Sequence, residues 1–179
     1  ALPILIEPAK VLFLNNAINH GVLGPLGVAE AQETGRSILF MLETNPGPGL
    51  GVLLAFWVAG PRLIRGSVPG AVIIHFLGGI HEIYFPYILM KPRMILAAIA
   101  GGATGVFVNV ALDNGLTATP SPGSIFAYLV VTPQGYTFKV LLAIAASAAV
   151  AFLVGWLLLK SDKSLDQANL EDAKARKDS

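Results

Sequence analysis

Two stretches of the sequence are long and apolar enough to cross a lipid bilayer, and they restrict the fold more than any other feature. They are Met94 to Leu112 and Phe138 to Leu159. A transmembrane helix needs about 20 consecutive, mostly apolar residues. Trp156 lies near the end of the second run, and Lys160 directly follows it. An aromatic side chain and a cation at these positions suit the membrane interface. We therefore expect an all-α integral membrane protein in which both runs are transmembrane helices.

The composition supports this class and suggests two parts. The chain is 54% hydrophobic and 13% charged, whereas a soluble domain carries about 25% charged residues. Of its 12 Lys and Arg and 11 Asp and Glu residues, ten fall between Lys160 and Asp178. We expect a membrane domain over residues 1–159 and a charged cytoplasmic linker or tail over residues 160–179.

Net charge and cysteine content exclude several classes of function. The formal net charge is +1 and there is no cysteine, so we expect no nucleic-acid partner, no disulfide and no thiolate metal site. The first residues, ALPILIEPAK, lack an initiator Met and a basic region. We read the chain as a piece of a longer polypeptide or one half of a two-part assembly.

Two further apolar segments are interrupted by residues that break helices. Residues 50–60 are short for a span and follow Asn45-Pro46-Gly47-Pro48-Gly49, whereas residues 71–90 contain Gly78-Gly79 and Pro86. Interrupted hydrophobic segments are typical of transporters with discontinuous helices near the middle of the bilayer. We expect discontinuous helices here.

Basic residues on both sides of residues 71–90 suggest how this segment runs. Arg62 and Arg65 precede it, and Lys91 and Arg93 follow it. Short basic loops prefer the cytoplasmic side of a membrane. We therefore expect a re-entrant hairpin that turns near Gly78-Gly79 and returns to the cytoplasmic side. The alternative is a full crossing that leaves one basic loop outside.

A short motif occurs twice. Asn45-Pro46-Gly47-Pro48-Gly49 and Thr119-Pro120-Ser121-Pro122-Gly123 share a Pro-x-Pro-Gly core, and an apolar run follows each. Proline is preorganised for a first helical turn, and a helix N-terminus presents free N–H groups. The two motifs are either corresponding half-helix starts that point into one cavity or two unrelated turns.

His81 and Glu82 lie side by side in an apolar segment, which allows three interpretations. The first is a metal site, but His-Glu lacks the second histidine of H-E-x-x-H because Phe85 takes its place. We expect neither a metal nor another cofactor. The second is a structural ion pair of Glu82. The third is a ligand site, since ionisable residues within a membrane are costly and usually functional. For His75 alone we expect a packing role.

A second polar cluster, LFLNNAINHG from Leu12 to Gly21, contains three asparagines and His20. In a helix, Asn15 would face Asn19, and Asn16 would face His20. Amide and imidazole groups both donate and accept hydrogen bonds, as the vicinal hydroxyl groups of a polyol require. The alternative is hydrogen bonding between helices.

Three stretches together closely resemble the membrane IIC domain of bacterial mannitol permeases, the enzymes II of the phosphoenolpyruvate-dependent phosphotransferase system. They are EPAKVLFLNNAINHGVLGPLG (Glu7 to Gly27), NPGPGLGVLLA (Asn45 to Ala55) and HFLGGIHEIYFPYILMKPR (His75 to Arg93). The resemblance runs from about Leu2 to the linker after Leu159 and covers the C-terminal half of a IIC domain. The N-terminal helices and the cytoplasmic IIB domain with its phosphorylated cysteine are absent from the sequence.

The resemblance implies a homodimeric inner-membrane permease with re-entrant hairpins and an elevator-like movement. Its Gly-Ile-x-Glu motif matches Gly79 to Glu82 and makes Glu82 a mannitol ligand and a possible base or orienter of the accepting hydroxyl. His20 takes the place of a substrate-binding histidine. The candidate substrate-binding residues are Glu82, His20, Asn16, Asn19, His81 and Asn45.

The implied partners follow from the same resemblance. They are mannitol or a related hexitol, phosphorylated IIB (in turn supplied by IIA and HPr), the missing N-terminal half of IIC, a second copy of the chain and membrane lipid. Two alternatives stay open from the residues: an ion-coupled polyol transporter with Glu82 as the ion carrier, and a non-catalytic membrane fragment.

Overall fold

The computed structural model describes residues 18–162, and helices dominate this part of the chain. A single isolated antiparallel bridge joins Ser37 to Leu116 within these residues. Two π-helical segments (Asn19–Leu23 and Ile73–Leu77) and two 3-10 segments (His81–Tyr84 and Pro92–Met94) interleave with the α-helices. The α-helices are α1 (Gly24–Thr34), α2 (Leu39–Thr44), α3 (Gly47–Ala59), α4 (Arg62–Arg65), α5 (Val68–Val72), α6 (Phe85–Met90), α7 (Ile95–Ala111), α8 (Ile125–Val130) and α9 (Thr137–Lys160).

The two long apolar helices expected from the sequence are confirmed. Pro92–Ala111, which includes α7, has 20 residues, and α9 has 24; both are long and apolar enough to cross a membrane. Large apolar side chains protrude from both helices, with Phe107 74% exposed and Phe138 75% exposed. Exposed rings of this size are costly in water but suit contact with lipid or with another helix.

Proline explains why so many short helices begin where they do. It lies in the first turn of α1, α3, α5, α6 and the Pro92–Met94 segment. Its fixed φ suits a helix start, and the N–H that it lacks has no partner within the helix at that position. The proline-rich sequence therefore divides the chain into separate helices between the two long spans.

The core of the structure is formed by α3, α7 and α9, which pack closely because small residues line their contacts. A Cβ atom added to Gly101 in α7 would lie 2.7 Å from the Cβ of Ala151 in α9. One added to Gly51 in α3 would lie 2.6 Å from the same atom. Helices that approach this closely pack through backbone and small side chains, as membrane helices often do.

Residues 67–91 form a hairpin, as expected. The first arm comprises α5 and the π-helical segment Ile73–Leu77, and the second arm comprises the 3-10 segment His81–Tyr84 and α6. The turn between them lies at Gly78-Gly79, where Gly79 has a φ of 77°, a value that favours glycine. The hydroxyl groups of Ser67 and Tyr87 lie 3.0 Å apart, so the arms begin and end at the same level. The chain reversal is therefore confirmed.

Candidate functional site

Glu82 lies directly after the bend of the hairpin, in the first turn of the His81–Tyr84 segment. Its side chain is exposed, whereas Tyr84 two residues later is buried in the core. An exposed carboxylate that follows a sharp backbone turn is available to a ligand. It can accept several hydrogen bonds through its two oxygens when ionised.

His81 ties the tip of the hairpin to the second Pro-x-Pro-Gly motif. Its Nε2 lies 2.9 Å from the carbonyl oxygen of Gly123, and its side chain is half-buried. Because a carbonyl oxygen only accepts hydrogen bonds, His81 Nε2 carries the proton in this contact. The structure therefore gives His81 a structural contact next to the Glu82 carboxylate; its expected contact with substrate stays a prediction.

His75, on the opposite arm, ties the hairpin to the first Pro-x-Pro-Gly motif. Its Nε2 lies 2.9 Å from the carbonyl oxygen of Pro46, and its side chain is 0% exposed. The His75 and His81 rings are in contact, with centroids 4.7 Å apart and planes tilted by 44°. The Tyr84 ring meets His75 edge-on, with centroids 5.8 Å apart. The packing role expected for His75 is thus accompanied by a specific hydrogen bond.

The two repeated motifs meet at this hairpin tip, and each is followed by a helix. The first leads into α3, where Asn45 Oδ1 accepts a hydrogen bond from Gly47 N at 2.9 Å. The second leads into α8, where Ser124 Oγ accepts one from Ala127 N at 3.2 Å. Both readings of the repeat stay predictions; beside α3, the buried side chains of His75 and Tyr84 pack against Gly49.

Asn45 occupies a position where its side chain supports helix packing. In addition to its bond with Gly47, its Nδ2 lies 3.5 Å from Ser147 Oγ in α9. Ser147 Oγ in turn donates to the carbonyl oxygen of Gly101 in α7 at 2.8 Å. Asn45 therefore links all three core helices; its expected contact with substrate stays a prediction.

The asparagine and histidine cluster near the start of the chain is described only in part. His20 is exposed in the π-helical segment Asn19–Leu23, which packs against α1 and α2. Asn16 and the side chain of Asn19 lie outside the described residues. The segment that carries His20 packs against α1 and α2, whereas the hairpin that carries Glu82 packs against α3.

Two cavities lie away from the hairpin tip. One of about 330 Å³ lies between α1 and residues 117–119, and another of about 340 Å³ lies between residues 90–94 and the end of α9. Neither is lined by Glu82. Among residues 18–162, no three His, Asp or Glu side chains are grouped so that they could hold a metal ion.

The sequence did not indicate that the His75 side chain and the Gly123 carbonyl group would hold the hairpin in place. Their partners lie 29 and 42 positions away along the chain, and one partner in each pair is a backbone carbonyl. A backbone carbonyl has no residue-type signature. The available signal was the repeated Pro-x-Pro-Gly core together with two histidines that flank one bend.

Comparison with known proteins places the chain in a family. Residues 3–102 match the family described as phosphotransferase system, EIIC. The mannitol-specific EIICB component of the phosphotransferase system from Geobacillus stearothermophilus is 60% identical over 164 residues, which is 92% of this chain and 35% of that protein. The corresponding EIICB component from Halalkalibacterium halodurans is 69% identical over 132 residues, 74% of this chain and 28% of that protein. The mannitol-specific EIICBA component from Escherichia coli is 54% identical over 173 residues, 97% of this chain and 27% of that protein.

The chain spans about a third or less of the length of these relatives. No solved structure matches it. The family match covers more than half of the chain, and the described residues are helical with two helices long and apolar enough to cross a membrane. The chain therefore belongs to the EIIC family of the phosphotransferase system, a family of integral membrane permeases.

Proposed function

We propose that the chain is the C-terminal half of the IIC domain of a mannitol-specific enzyme II. The observation that carries the proposal is the position of Glu82, exposed at the bend of a hairpin held by two motifs. The similarity to three mannitol-specific components supports mannitol as the substrate. A related hexitol is the nearest alternative, because hexitols share the vicinal hydroxyl groups that a carboxylate would bind.

In this proposal Glu82 accepts hydrogen bonds from mannitol hydroxyl groups, and His20 with Asn16 and Asn19 forms the opposite side of the site. His81 and Asn45 complete the candidate set. Hydrogen bonds to an ionised group are stronger than those between neutral groups. The site then moves to face the cytoplasm, and the tail that starts at Lys160 lies on the same side.

Phosphorylated IIB then transfers its phosphoryl group to a terminal hydroxyl of mannitol. The hydroxyl oxygen forms a bond with phosphorus, the bond between phosphorus and the IIB donor atom breaks, and the hydroxyl proton passes to a base. Glu82 would orient this hydroxyl and accept its proton. Because an ionised Glu82 also repels an incoming phosphoryl group, we assign substrate binding as its first role. Catalysis of this kind depends mainly on positioning and charge stabilisation.

The proposal also includes the partners with which the chain forms a complete permease. We propose that these are the N-terminal half of IIC, the IIB donor with IIA and HPr behind it, and a second copy of the chain in a homodimer. The many apolar side chains exposed on α7 and α9 provide a surface against which lipid, the N-terminal half of IIC and the second copy can pack.

Uptake of labelled mannitol into membrane vesicles tests this function. The vesicles contain the chain within a complete IIC domain and are assayed with and without added IIB and phosphoenolpyruvate. The proposal predicts that mannitol phosphate accumulates only when both are present. Accumulation of unmodified mannitol that stops when ion gradients are dissipated would instead identify an ion-coupled transporter.

A further inference from the structure

Two histidine rings join both Pro-x-Pro-Gly motifs through the hairpin. We call His75 and His81 together the histidine clamp. One end of the clamp bonds the carbonyl oxygen of Pro46 and the other end bonds that of Gly123, each at 2.9 Å. Between these ends the two rings contact each other at a tilt of 44°. A continuous path of contacts therefore runs from the start of α3 through the hairpin tip to the segment that precedes α8.

Hydrogen-bond chemistry determines which ring nitrogens of the clamp are protonated. Both partners are carbonyl oxygens, so both Nε2 atoms donate. Two imidazolium ions at this distance would repel each other, so the geometry disfavours a state in which both rings are charged. In the described part of the chain, His75 Nδ1 is buried and has no hydrogen-bond partner. The Pro46 oxygen also accepts from Leu50 N at 3.1 Å, so the bond from His75 uses its second lone pair.

Close packing holds both rings in place. A Cβ atom added to Gly49 would lie 2.7 Å from His75 Nε2, and one added to Gly123 would lie 2.9 Å from His81 Nε2. Each ring thus occupies space that exists only because a glycine of a Pro-x-Pro-Gly motif has no side chain. A ring confined by backbone on one side and by Tyr84 on the other has little freedom to change rotamer.

We propose that His75 is a positioning residue for mannitol binding, acting through His81 on Glu82. It does not touch the substrate. By bonding Pro46 and supporting the His81 ring, it fixes the tip of the hairpin against both motifs, and Glu82 follows His81 directly in the chain. Preorganised ligand groups lower the entropy that binding must otherwise overcome. The proposal rests on the proposed function, because it specifies how that site is held.

The test compares His75→Leu with His75→Gln in a complete enzyme II. Leucine fills similar volume without a donor, whereas the glutamine amide can still donate to the Pro46 oxygen. The first readout is hydrogen–deuterium exchange of residues 119–127, the segment whose Gly123 carbonyl oxygen bonds His81. We expect faster exchange there in His75→Leu and near-normal exchange in His75→Gln. The second readout is mannitol affinity, which we expect to fall about tenfold in His75→Leu, as for one lost hydrogen bond, and to be largely restored in His75→Gln.

Two further variants separate this role from general loosening of the core. Leu159→Ala removes a buried side chain of the same core at the far end of α9 and should leave exchange of residues 119–127 unchanged. Gly49→Ala keeps His75 but occupies the space of its ring, so it should reproduce the His75→Leu result.

The exchange readout is independent of mannitol, so the two proposals can fail separately. If the unaltered protein binds no mannitol, the proposed function fails while exchange still decides the clamp. Unchanged exchange at residues 119–127 in His75→Leu would overturn the clamp, as would a His75→Gln variant that is as impaired as His75→Leu.

Discussion

The hydroxyl groups of Ser67 and Tyr87 lie 3.0 Å apart, although 20 residues separate them in the sequence. Their contact joins the first residue of the hairpin to its last turn. The basic residues that flank the hairpin, Arg65 before Ser67 and Lys91 after Tyr87, therefore leave from the same end. This geometry matches the positive-inside argument for a re-entrant segment.

Labelling of single cysteines tests this topology, and the chain offers a cysteine-free background. Gly66→Cys and Arg93→Cys should both react with a membrane-impermeant maleimide from the cytoplasmic side. A Cβ atom at Gly66 meets open space, and Arg93 is exposed. Ala118→Cys, beyond the end of α7, should react only from the outside. Labelling of positions 66 and 93 from opposite sides would show a full crossing instead.

Because α7 and α9 pack closely, one added methyl group between them should lower the stability of the protein. Gly101→Ala should lower the thermal midpoint because the added Cβ overlaps Ala151; overpacking of this kind costs about 1–3 kcal/mol. Gly70→Ala in α5 is the matched control, since its Cβ meets nothing within 4 Å. There the midpoint should stay the same or rise, because alanine favours helix by about 1 kcal/mol over glycine. Equal midpoints for the two variants would contradict the packing described for Gly101.

Variants of Asn45 should separate its contribution to stability from a contribution to mannitol binding. Asn45→Ala removes the acceptor for Gly47 N and should cost about 1 kcal/mol of stability. Asn45→Asp keeps that acceptor and should recover most of the loss in a thermal unfolding assay. Mannitol affinity measured on the same two variants then decides whether Asn45 is also a ligand: a loss in Asn45→Asp despite normal stability identifies direct contact.

Lys91 and Asp162 connect the end of the hairpin to the end of α9. Lys91 Nζ lies 2.9 Å from Asp162 Oδ2, and both side chains are about three-quarters buried. A double-mutant cycle with Lys91→Met and Asp162→Asn should give a coupling energy of about 1 kcal/mol, above that of most exposed pairs. Strictly additive effects on unfolding would show that this ion pair does not hold the two elements together.

Hydropathy alone was enough to predict α7 and α9, because a long apolar run has few other stable structures. The hairpin followed from two local signals, the glycine pair at the bend and the basic residues at both ends. Only glycine adopts the φ of 77° found at Gly79 without strain. These features depend on residue types that are close together in the chain.

The contacts that hold the candidate site could not be predicted in the same way. His75 and His81 bond backbone carbonyls far away in sequence, and any residue type supplies a carbonyl. The sequence pattern did indicate that the two Pro-x-Pro-Gly motifs begin helices. It gave no reason to expect that one hairpin would join them, since that depends on how α3, α8 and the hairpin pack.

Glu82 is the residue on which the account depends most, and mannitol binding to Glu82→Gln tests it most directly. Glu33→Gln, an exposed carboxylate on α1, provides the matched control. Both variants are assayed for labelled mannitol binding in membranes that contain a complete enzyme II. Loss of hydrogen bonds to a charged acceptor predicts about 10- to 100-fold weaker binding for Glu82→Gln and no change for Glu33→Gln. Unchanged mannitol affinity in Glu82→Gln would contradict the assignment.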